Sequence, residues 1–181
     1  MSQKEIIFYL DGKDFKQSLN GFVPFDASVI DRGRAIFDAI EFYDGVFIFV
    51  DPHIERTFNA TKILGASLEK LFSKEEFKDK LDDLKPIILK HFDKNTLLKV
   101  EIIASKQDNI FLRVVPISSE WLDSKLRLTF AAVKYNYLLQ SVKYCGRYAE
   151  PMIITELAKH QIDPKIEECL LYSKSGEKSM V

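Results

Sequence analysis

AIFDAIEFYDGVFIFVDPHIERTFNATKILG, residues 35–65, is the stretch that decides the fold. Two runs rich in β-branched and aromatic residues flank Asp44-Gly45, a dipeptide favoured in two-residue hairpin turns, so a β-hairpin is expected there. The pattern then changes. Asp51 suits a helix N-cap, Pro52 the first helical position and Gly65 the end, so the spacing predicts a helix between them.

Outward from this stretch the same signals recur. IIFYLDGKDF, from residue 6, reads as a strand, a turn at Asp11-Gly12 and a return. SKEEFKDKLDDLKPIILKHF reads as a second helix with a Ser73/Glu76 capping box, which Pro86 should kink or divide. TLLKVEIIAS and NIFLRVVPI read as two strands. Residues 1–115 therefore form an α+β lobe. A second lobe is expected over 120–181, with a strand at 126–134, a helix over about 149–161 and a strand ECLLY.

The composition narrows the function classes. The chain has 181 residues, 46% of them apolar, enough for one core or two small lobes. Net charge is −1 and the basic residues are scattered, which argues against nucleic acid as a partner. No apolar run approaches a membrane span, and MSQKEIIFYLDG lacks the features of a secretory leader, so a cytoplasmic location is expected. Cys145 and Cys169 sit in no metal or redox spacing, and the three histidines show no ligand spacing, so no metal is expected.

Two basic residues carry the chemistry. Lys143 lies in VKYCGRYAEP, among Tyr135, Tyr137, Tyr144 and Tyr148 and after the apolar run LTFAAV. It reads either as an ordinary solvated lysine or as an amine that condenses with an aldehyde, which needs a site that keeps it neutral. Arg56 shares a helix face with Ala60 and Ile63. It reads either as a snorkelling side chain or as a guanidinium aimed at a phosphate.

Three blocks together resemble the fold-type IV (class IV) pyridoxal-phosphate aminotransferases, which include branched-chain and D-amino-acid aminotransferases and aminodeoxychorismate lyase. DRGRAIFDAIEFYDG is similar to that family's YGxxVFExIRxYxG strand, with Asp38 in place of its usual Glu. DPHIERTFNATKILG is similar to its arginine-bearing helix, and VKYCGRYAEPMIITELAKHQ to its lysine segment K-x-G-G-N-Y-x-P. The resemblance implies pyridoxal 5′-phosphate held by Lys143 as a Schiff base, with its phosphate on Arg56 and its ring oxygen on Tyr148. It implies Phe37 and Lys99 at the substrate, which would be an amino acid and a 2-oxo acid, and a homodimer. The implied fold is a small α+β N-terminal lobe and a larger C-terminal lobe with the cofactor between.

The sequence also departs from that family. Its members run on for roughly another hundred residues, so the second lobe is expected to be incomplete. Met180 falls where they carry the acid that pairs with the pyridine nitrogen, so a weak transaminase is expected. Arg147 replaces an Asn and Arg32 a Tyr. Two alternatives therefore stand beside the aminotransferase: a lyase resembling aminodeoxychorismate lyase, and a shortened homologue that acts as a scaffold.

Overall fold

From Ile36 on, burial alternates along the first long strand. The computed structural model describes residues 5–19, 35–63, 65, 68–105, 110–118, 128–135, 149–166, 168–173 and 178–179. Strand β3 (Ala35–Tyr43) buries Ile36, Asp38, Ile40 and Phe42, while Phe37, Ala39, Glu41 and Tyr43 face the other way. Its hairpin partner is β4 (Val46–Ile48), and both turn residues have positive φ, Asp44 at 48° and Gly45 at 78°. That pair of angles is what a type I′ turn requires, and glycine meets it without steric cost.

With β1 (Ile6–Asp11), β2 (Asp14–Gln17), β5 (Leu98–Ser105) and β6 (Ile110–Pro116), these strands form one sheet in the order β2-β1-β6-β5-β3-β4. Every pairing in it is antiparallel. The register lines up buried rows: Ile40 lies opposite Val100, Val100 opposite Val114, and Val114 opposite Ile6.

The buried face is covered by helices α1 (Val50–Ile63), α2 (Leu68–Leu71) and α3 (Lys74–His91). Phe77 of α3 is the hub, with ring centroids 5.8 Å from Phe58 and 5.9 Å from Phe72. Both α3 cap bonds expected from sequence are made: the Glu76 amide donates to Ser73 Oγ at 3.1 Å, and the Ser73 amide donates to Glu76 Oε2 at 2.7 Å.

Two local expectations are corrected. Helix α1 begins at Val50, so Asp51 lies within the first turn and is not the N-cap. A proline fits anywhere in a first turn, where backbone amides have no helical partner, so Pro52 does not fix the start. Helix α3 runs unbroken through Pro86. Pro86 and Asp82 are both exposed, so the carbonyl that loses its donor is on the solvated side, while Leu81, Leu84 and Ile88 anchor both halves.

A second sheet follows. Strand β7 (Leu128–Tyr135) pairs in parallel with β8 (Glu168–Ser173), and β9 (Lys178–Ser179) pairs antiparallel to β8. Helix α4 (Ala149–Gln161) connects β7 to β8 in a β-α-β unit. The architecture is α+β, as expected.

Candidate functional site

Helix α1 brings Arg56 onto the buried carboxylate of Asp38. The guanidinium engages it side-on, Nε donating to Oδ2 at 2.7 Å and Nη2 to Oδ1 at 2.5 Å. Asp38 is 1% exposed and Arg56 41% exposed, so the pair spans the boundary between core and surface. His53, one turn earlier on α1, places Nδ1 2.9 Å from the same Oδ1, and the Ala39 amide donates to it at 2.7 Å. Burial pushes the Asp38 carboxyl up, but the hydrogen bonds from Arg56 and His53 and the Arg56 charge outweigh burial and hold it below the usual range.

The helical reading of Arg56 is half met. Ala60 is buried, but Ile63 is 50% exposed, so the face leaves the core at its C-terminal end. Arg56 is no mere snorkelling side chain, since it is locked to an anion supplied by the protein. Neither Asp38 nor His53 was read from sequence as a partner of Arg56. The available signal was His53 and Arg56 at i, i+3 on one helix.

Phe37 and Lys99 share the face of the sheet opposite α1, α2 and α3. Phe37 lies across from Ile103 and Lys99 across from Glu41, so they are four residues, about 13 Å, apart along the strands. Phe37, Ile103, Phe111 and Tyr9 form one half-buried apolar row across β3, β5, β6 and β1. Beside it runs a charged chain: Lys99 Nζ is 2.7 Å from Glu101, and Arg113 bridges Glu101 at 3.2 Å and Glu5 at 2.8 Å. The structure thus brings Phe37 and Lys99 to one face and Arg56 to the other.

Lys143, Tyr148 and Met180 lie outside the described residues. A surface cleft of about 330 Å³ between α1 and α3, lined by Asp51, Glu55, Lys74 and Lys78 among others, contains none of the candidate residues. Its charges pair among themselves, Lys78 with Asp51 and Lys74 with Glu55. Among the described residues no group of three or more His, Cys, Asp or Glu could hold a metal ion, and no helix is long and apolar enough to cross a membrane.

No protein-family model matches the sequence, and no curated protein matches it. Solved structures do match. A hypothetical aminotransferase from Mycobacterium tuberculosis in its PLP-bound form is 13% identical, with a TM-score of 0.75 over 97% of this chain and 64% of that one. A fold IV-transaminase from Curtobacterium pusillum is 12% identical, with a TM-score of 0.78 over 97% of this chain and 66% of that one. A putative branched-chain amino acid aminotransferase from Thermotoga maritima is 14% identical, with a TM-score of 0.67 over 96% and 59%. The chain has the fold of these proteins and spans about two thirds of the length of the first two.

Proposed function

We propose that this chain binds pyridoxal 5′-phosphate and serves the transfer of an amino group between an amino acid and a 2-oxo acid. The observation that carries the proposal is the Arg56–Asp38 fork, in a fold shared with aminotransferases. A phosphate needs a cation whose donors are already aimed, and a planar guanidinium clamped by a buried carboxylate is such a cation. Asp38 takes the side-on pair of donors and so fixes the plane of the guanidinium, and the residues fit the group in that sense.

The bound cofactor supplies an electron sink for negative charge that develops at the amino acid Cα. In this reading Arg56 would bind the phosphate, Tyr148 would orient the ring, and Lys143 would hold the aldehyde carbon until the substrate amine replaces it, its freed amine then taking the proton from Cα. Phe37 walls off water, and Lys99 faces the substrate. The unit is a cytoplasmic homodimer.

The test is reconstitution with pyridoxal 5′-phosphate, followed by borohydride reduction and peptide mapping. A pyridoxyl group on Lys143 is expected. An unchanged spectrum, or label on another lysine, refutes the assignment.

A further inference from the structure

We infer that His53 is a positioning residue, which fixes the plane of the Arg56 guanidinium through the oxygen they share on Asp38. Three distances carry this. Arg56 Nη2 is 2.5 Å from Oδ1, His53 Nδ1 is 2.9 Å from Oδ1, and Nη2 is 3.0 Å from Nδ1. They make a nearly equilateral triangle. Arg56 can only donate, and an ionised carboxylate can only accept. If Nδ1 were a bare lone pair it would face Oδ1 across 2.9 Å with no proton between them. A proton on Nδ1 is the assignment that avoids this, and the 3.0 Å approach to Nη2 is then the spacing of two donors that converge on one acceptor.

The consequence is mechanical. An aspartate carboxylate turns about one soft torsion, and the guanidinium clamped to it turns with it. The Ala39 amide holds Oδ1 only from the adjacent residue of the same strand. His53 holds it from α1, the helix that also carries Arg56, and so ties the carboxylate plane to that helix. His53 is largely buried, 22% exposed, and can hold this geometry. Partners that orient a ligand-binding group in this way commonly account for tenfold or more of affinity at metal sites. The inference rests on the proposed function only for what Arg56 is held ready to bind.

Covalent geometry supplies the test. In His53→Asn the amide nitrogen is bonded to Cγ, as Nδ1 is, and can donate to Oδ1. In His53→Gln it lies one carbon further out, and in His53→Leu there is no donor. The Arg56 Nε–H resonance is followed by ¹⁵N NMR in the full chain without ligand, with thermal midpoints confirming that each variant is folded. The parent and His53→Asn should show a downfield, slowly exchanging Nε–H, while His53→Leu and His53→Gln should lose it. An unchanged resonance in folded His53→Leu, or no rescue by folded His53→Asn, overturns the inference. The affinity for pyridoxal 5′-phosphate, measured on the same proteins, should fall about tenfold in His53→Leu and stay near the parent's in His53→Asn. If the parent binds no pyridoxal 5′-phosphate while the resonances behave as stated, the positioning role stands and the proposed function falls.

Discussion

Asp38 depends on four hydrogen bonds from three residues, and the two side-chain partners, Arg56 and His53, can be removed separately. Arg56→Ala leaves a 1%-exposed carboxylate with only His53 and Ala39. The cost should be about 3 kcal/mol in urea unfolding, the low end for a broken buried pair because Arg56 is partly solvated. The pH dependence follows from the sign of the shift. Burial raises the Asp38 pKa, Arg56 and His53 more than offset it, and the folded value lies below the unfolded one. Its contribution is therefore full above the ordinary carboxyl value near 3.9 and fades as pH falls toward the lower folded value. Unfolding free energies of the parent and Asp38→Asn should converge below about pH 4; a gap that stays constant into acid would contradict this. Thr57, beside Arg56, gives the opposite case. Its buried hydroxyl has no hydrogen-bond partner among the described residues, so Thr57→Val should raise stability by about 1 kcal/mol.

Helix α3 and the β3–β4 hairpin show which elements a local sequence can specify. Ser73 and Glu76 sit three residues apart, so the chemistry that starts α3 is complete within one turn. Ser73→Ala should cost about 1 kcal/mol in thermal or urea unfolding. Asp44-Gly45 was equally legible, since a two-residue turn is decided by its own two φ angles. The start of α1 was less legible, because Pro52 tolerates several first-turn positions. Pro86 does not divide the helix, because packing on both sides overrides its local penalty. Pro86→Ala restores an amide donor at an exposed position and should stabilise α3 by about 1–3 kcal/mol. If melting shows no gain, the helix has already relaxed around the proline. The partner of Arg56 was illegible for a different reason: Asp38 lies 18 positions away in another element, and no spacing rule joins a strand to the helix packed on it.

The continuous core is drawn from β1, β3 to β6 and the first three helices, between Ile6 and Val114. A fragment ending near residue 118 should therefore fold alone and melt cooperatively by circular dichroism; a fragment without a cooperative transition would tie this core to later residues. Element types over this span followed from hydrophobic period and turn chemistry, but the strand order β2-β1-β6-β5-β3-β4 did not, because pairing across long separations leaves no periodic trace. That order also sets a schedule during synthesis. Strand β1 lies beside β6, and Glu5 and Arg113, joined across these strands, are 108 positions apart. At about 5–20 residues per second, the β1–β2 hairpin waits roughly 5–20 s for β6 to leave the ribosome. Meanwhile Ile6 and Phe8 have no sheet to enter, and β1 offers a bare edge to any passing strand. The nascent chain is thus a natural client for a holding chaperone over that interval, and slowing translation between β2 and β6 should lower the soluble yield more than slowing it after β6.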